Sequence, residues 1–411
     1  MKFRPSKTIL AAAALVCVAS LAALVVSASS DPTPAASPTT STSESPSPTQ
    51  AATPTTSGTS NTVEALVIND CDMTEPGPCI NEVIDEEIKT NGIEAGLAMM
   101  RKVFEVNKDV YAACHSFAHG VGKSAAKYYG LEAFGHATFE CQRGYLHGTV
   151  QRLSGNYTKI SDQVSAFSKK CSETYTDNPT LLKDCYHGTG QSTVYVDNNA
   201  LEEAMNACMS IAKTKDLGVI CTSGLLMEYG DGALHHAGYT SDATVDVFAD
   251  TYQGDVIELC KKINAKYGNP DRLMVACYMR LWMFEGPAYH KGNKDYDKMC
   301  RDSTGEERHW CYIGIGNWIH RAYFWDVNPV WPPETKEHND EMVNYIAPRC
   351  EALDDPISCI EGAITSTSGH LYGVYPEELI PEYCHAMSKK YQTECAAVRD
   401  RIIEMELEYL K

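Results

Sequence analysis

Four histidines stand close behind cysteines and beside glycines. Two lie in Cys114-His115-Ser116-Phe117-Ala118-His119-Gly120-Val121-Gly122, a third in Cys141-Gln142-Arg143-Gly144-Tyr145-Leu146-His147-Gly148, and a fourth in Cys185-Tyr186-His187-Gly188-Thr189-Gly190. His115 and His119 are four apart, so on a helix both project from one face and can share a metal ion. Neutral imidazole suits zinc and copper, and three such ligands with one open position can activate water. His115, His119, His147 and His187 are therefore candidate ligands of a Zn or Cu site. Glu228 in LLMEYG and Glu285 in WMFEGP are candidate general bases, because burial raises the pKa of a lone carboxylate on an apolar helix. Glu361 in CIEGA is a similar case. Against these readings stand plainer ones: each histidine a hydrogen-bonded core residue, each glutamate held by a backbone amide or by an arginine such as Arg280. The glycines beside the histidines are costly in a helix. They imply either close helix packing or room for a ligand.

The elements that would position these groups are helices. Ile93 to Val106, Ala200 to Lys213 and Ala397 to Leu410 carry apolar residues at three- and four-residue steps. Glu341 to Ala347 is a shorter stretch that Pro348 is expected to end or kink. Alternating strand patterns are scarce. Cysteines punctuate the helices in couplets, one closing a stretch and one opening the next: Cys171 with Cys185, Cys208 with Cys221, Cys260 with Cys277, Cys300 with Cys311, Cys350 with Cys359, and Cys384 with Cys395. Bridging each couplet would staple an αα-hairpin, and the recurrence reads as a helical repeat. Cys71 and Cys79 flank a Pro/Gly turn and are expected to pair locally. Cys114 and Cys141 complete the expected disulfide set, although each is expected to open a helix. No C-x2-C spacing is present, so a zinc ribbon is excluded. The predicted fold is all-α: disulfide-stapled hairpins stacked as a solenoid or closed as an α/α toroid.

Residues 1–28 read as an export signal or signal anchor: Lys2, Arg4 and Lys7 precede an apolar run from Ile9 to Val26. Residues 29–63 are almost entirely Ser, Thr, Pro, Ala and Gly, the composition of a disordered stalk. Residues 64–411 would form the folded, disulfide-rich domain. Even-numbered cysteines behind an export signal point to an oxidising space, extracellular or at the cell surface. A formal net charge of −19 repels phosphate backbones and argues against nucleic acid as a partner. Membrane contact is expected only through the N-terminal segment. The chain has no GxSxG elbow, HExxH, P-loop, EF-hand loop or CxxCH site.

The order C-H-x3-H-x2-G (114–122), C-x2-G-Y-x-H-G (141–148), C-Y-H-G-x-G (185–190), then M-E at 227–228 and M-x-E at 283–285, resembles a group of uncharacterised exported proteins of archaea and bacteria. The similarity spans roughly residues 110–290. In that group the third motif often continues with another histidine, where this chain has Gln191. The resemblance implies that the His/Gly/Cys pattern is a shared trait; it implies no activity. Two functions fit the sequence. One is a secreted or cell-envelope metal-binding protein, with a metalloenzyme as its catalytic form. The other is a non-catalytic repeat module that presents a surface to a small molecule, peptide, glycan or protein outside the cell.

Overall fold

The structure, a computed structural model, describes residues 76–106, 114–197, 201–211, 216–236, 256–280, 296–328, 335–371 and 381–409. The expected signal or anchor segment (1–28), the expected stalk (29–63), Cys71 and Glu285 lie outside the described residues.

Among the described residues the chain is helical and contains no strand. The helices are α1 (Pro76–Asn91), α2 (Ile93–Val106), α3 (Cys114–Tyr129), α4 (Gly144–Ser154), α5 (Ile160–Thr174), α6 (Pro179–Ser192), α7 (Leu201–Ser210) and α8 (Leu217–His236). They continue with α9 (Val256–Tyr267), α10 (273–280), α11 (Tyr296–Arg301), α12 (Glu306–Asp326), α13 (Lys336–Glu351), α14 (Pro356–Leu371), α15 (Tyr383–Ala386) and α16 (Lys389–Tyr409). Local chemistry sets several boundaries. Asn178 caps α6 by accepting from the Leu181 amide at 3.1 Å, with Pro179 in the first turn where its missing N–H costs nothing. Thr335 caps α13 in the same way through the His338 amide. Pro348 does not end α13, which continues to Glu351. The last turn is held because Cys350 is bridged to Cys359 at the start of the next helix.

Six disulfides join consecutive helices: Cys171–Cys185, Cys208–Cys221, Cys260–Cys277, Cys300–Cys311, Cys350–Cys359 and Cys384–Cys395. The expected helix-end to helix-start placement does not hold throughout, since Cys260 lies in the first half of α9 and Cys185 midway along α6. Their Cα–Cα distances run from 5.4 to 5.9 Å, and the loops they close are 9 to 17 residues long. The sulfurs lie inside the apolar core, most of them with no exposed surface. Cys79 is also bridged. Bridges in this number belong to an oxidising compartment. Among the described residues no helix is long and apolar enough to cross a membrane.

Cys114 and Cys141 correct the expected disulfide set: both are free thiols. Cys114 opens α3, but Cys141 sits in the 3-10 turn Glu140–Arg143 with a left-handed backbone, φ 52°. The six bridged couplets each join two consecutive α-helices, an arrangement not reproduced there.

Three helix pairs cross in the same reciprocal manner, α3 with α4, α6 with α8 and α12 with α14. In each pair a glycine of one helix lies on the carbonyl oxygen three residues before the glycine of the other. Gly122 meets Tyr145 and Gly148 meets His119; Gly190 meets Cys221 and Gly224 meets His187; Gly316 meets Cys359 and Gly362 meets Ile313. A Cβ at any of these positions would drive into backbone, so close approach is what the glycines serve. Two apolar clusters surround the crossings. One includes Ile80, Leu97, Phe134 and Phe167; the other includes Leu226, Trp318, Tyr323 and Ile402.

Candidate metal centre

The first crossing carries three histidines. His115 and His119 occupy successive turns of α3, and His147 occupies α4 immediately before Gly148. One ligand atom from each lies within 4.8 Å of the others. Ring centroids are 4.7 Å apart for His115 and His119, 5.4 Å for His115 and His147, and 5.5 Å for His119 and His147. His187 comes from α6, which packs on α4; its ring is 6.0 Å from that of His147, outside the three-histidine group.

The proton positions follow from the neighbours. His115 Nδ1 is 2.9 Å from the carbonyl oxygen of Cys141, which only accepts, so this nitrogen carries the proton and donates. Burial holds the His115 pKa below its ordinary value, with the charge of Arg321 adding to that and the Cys141 bond opposing it. The ring is therefore neutral at pH 7 and its Nε2 presents a lone pair. That lone pair accepts a hydrogen bond from His119 Nε2–H at 3.1 Å, which leaves the His119 lone pair on Nδ1. Burial, then the charges of His115 and Lys123, push His119 down to about 3, while the Gln151 amide opposes them. Burial also holds His147 and His187 well below the ordinary imidazole value. Arg280, Arg143 and Arg321 add their charges at His187. Three neutral imidazoles gather at the crossing, with a fourth beside them, in the uncharged state that metal ligation requires.

His147 is 8 % exposed, and its Nδ1 is buried without a hydrogen-bond partner. A buried polar atom left unpaired costs about 1–3 kcal/mol, so the fold bears a penalty that a ligand would relieve. Gln151, one turn beyond His147 on α4, lies beside His119. Its amide nitrogen donates to the hydroxyl of Tyr195, which donates to Glu228 Oε1 at 2.5 Å. Glu228 therefore lies off the histidine group, joined to it through Tyr195 and Gln151.

Packing does not demand these histidines. The residue three before each glycine is His119, His187 or Ile313 on one helix, and Tyr145, Cys221 or Cys359 on its partner. The residue just before the second glycine is His147, Ser223 or Glu361. The same backbone crossing thus accepts aliphatic, hydroxyl and carboxylate side chains. At the second crossing Arg280 Nε donates to Ser223 Oγ at 2.9 Å. At the third, Arg272 and Arg401 each hold the buried Glu361 carboxylate at 3.0 Å, with His309 at 3.7 Å. Glu361 is thus an ion-pair anchor, the plainer of its two readings.

Several members of the site have no signature in the sequence. Tyr195 lies in a 3-10 turn after α6, and the buried ion pair of Arg143 with Asp184 joins the 3-10 turn before α4 to α6. Burial raises Asp184 to about 6 against the pull of Arg143. Gln151 had a usable signal, four residues from His147 on one helical face. His320 is 4 % exposed within α12 and bonds Ser366 Oγ at 3.1 Å.

No family model, curated protein or solved structure matches the chain.

Proposed function

We propose that this chain is an exported metal-binding protein in which a disulfide-hardened helical domain holds Zn(II) or Cu(II) on His115, His119 and His147. The observation that carries the reading is the paired state of His115 and His119. The Cys141 carbonyl fixes the His115 proton on Nδ1, so His115 Nε2 accepts from His119 Nε2–H at 3.1 Å. A metal ion bound to both nitrogens would take the place of that proton as His119 shifts to its other tautomer. A tetrahedral zinc with bonds of about 2.0–2.1 Å separates its ligand atoms by about 3.3 Å. The two nitrogens already stand near that spacing. The outer limit of 4.8 Å for the group is wider, so a small ring rotation of His147 completes the set and satisfies its unpaired nitrogen.

Three neutral imidazoles leave a position open for water or a ligand. Zinc or copper there would polarise that water. The protein's own groups orient the ligands: the Cys141 carbonyl acts on His115, and the line Gln151–Tyr195–Glu228 supports His119 from the other side. Glu228 fits an outer-shell carboxylate better than a base in contact with the metal. Secretion or display at the cell surface, through a cleaved signal or a retained anchor, agrees with six bridges in the folded part.

Elemental analysis of protein folded under oxidising conditions tests the proposal. One zinc or copper per chain is expected, and loss of that metal in the His119→Ala, His147→Ala double variant. Sub-stoichiometric metal that the double variant does not change would overturn it in favour of a non-catalytic binding module.

A further inference from the structure

Cys114 and Cys141 are two free thiols in a domain whose other described cysteines are bridged. Both are half-buried, and their segments meet where the Cys141 carbonyl lies 2.9 Å from the ring of His115, the residue after Cys114. Cys114 immediately precedes His115, and the carbonyl of Cys141 is the acceptor that orients His115. Cys141 and Arg143 both have left-handed backbone, φ 52° and 64°, a conformation that costs an ordinary side chain energy. The acceptor for His115 thus belongs to a strained turn whose side chain can be drawn towards α3.

We propose that Cys114 and Cys141 form a redox-active dithiol that exchanges with low-molecular-weight disulfides, and that its oxidation weakens the histidine metal centre. This rests on the metal-binding reading above. The exchange is balanced by the external disulfide RSSR. The thiolate of one cysteine attacks it, forming a mixed disulfide and releasing one RS−. The second cysteine then displaces the other RS−, giving Cys114–S–S–Cys141. Two electrons pass to RSSR, and the two thiol protons end on two RSH molecules. A closed bond would hold Cys141 to a bridge geometry like that of the other six, Cα–Cα 5.4–5.9 Å, a constraint proposed to shift its carbonyl off His115 Nδ1. Loss of such an orienting partner typically lowers metal affinity 10- to 100-fold.

The test uses the full chain in glutathione buffers of graded ratio, followed by alkylation and peptide mass spectrometry. The Cys114/Cys141 pair is expected to titrate as a two-electron couple while the six bridges stay oxidised. Zinc affinity, read by competition with a chromophoric chelator, is expected to be 10- to 100-fold lower in the oxidised form. In the Cys114→Ser, Cys141→Ser variant it is expected to be indifferent to the buffer. A pair that stays wholly reduced or wholly bridged across the series overturns the dithiol. Equal zinc affinity in the two forms overturns the coupling and leaves the metal centre standing. A pair that titrates in a protein that binds no zinc in either form overturns the coupling and the metal reading together, leaving only the dithiol.

Discussion

Gly148 of α4 lies on the carbonyl oxygen of His119 in α3, so the residue after one candidate ligand fixes the distance to another. His147 reaches the α3 histidines only because this contact, and its reciprocal between Gly122 and Tyr145, lets the two backbones touch.

Replacing Gly148 by Ala is therefore expected to act on fold and site together. The added methyl meets backbone that cannot swing away, and overpacking of this kind costs about 1–3 kcal/mol. Chemical denaturation should show that loss, and metal titration should show weaker binding in the protein that still folds. Gly155→Ala, at an open position after α4, serves as the control.

Among the four histidines, His187 is expected to be dispensable for metal stoichiometry. Its ring is 6.0 Å from His147 and outside the three-histidine group. His187→Ala should retain one metal per chain by elemental analysis, whereas His115→Ala should bind at least about tenfold more weakly through loss of a direct ligand.

Tyr195→Phe removes the hydroxyl that links Gln151 to Glu228. Metal affinity is expected to fall about tenfold with stoichiometry unchanged, the signature of a group acting through a ligand. Glu228→Gln should give a smaller fall, because the amide can still accept from Tyr195. Isothermal titration of the two variants separates the cases.

His320 sets a pH dependence away from the metal centre. Burial, aided by Arg321, pushes its pKa down to about 3, against about 6.5 in an unfolded chain. Between those values the unfolded chain takes up the proton and the folded one does not. The stability that a neutral His320 supports is intact above about pH 6.5 and is lost progressively as pH falls toward about 3. His320→Gln should flatten the decline in urea midpoint between about pH 6.5 and about pH 4.5 relative to the wild type.

The Cys171–Cys185 bridge closes a 14-residue loop, for which chain entropy gives about 3 kcal/mol. Replacing both cysteines by serine should lower the unfolding free energy by about that amount, plus the cost of burying two hydroxyls in the core. Cys350–Cys359, with a 9-residue loop, should cost less on the entropic side.

The sequence by itself determined the secondary structure and the staples. Helical periodicity marks Ile93–Val106 to the residue, and the couplets mark six hairpins, because both signals are local: a helical face repeats every few residues and a short loop brings its own ends together. The same couplets, once bridged, point to an oxidising compartment. The His-x-x-Gly spacing was visible too, but its meaning was not. Only the tertiary structure decided that the glycines serve backbone contact, that three histidines gather while His187 stands aside, and that Glu228 reaches the site through Tyr195 and Gln151. It also shows Cys114 and Cys141 as thiols, with Cys141 in a left-handed turn and not in an α-helix as in the bridged couplets. Those outcomes depend on which helices cross and at what separation, a property of residues far apart in the chain that no local pattern encodes.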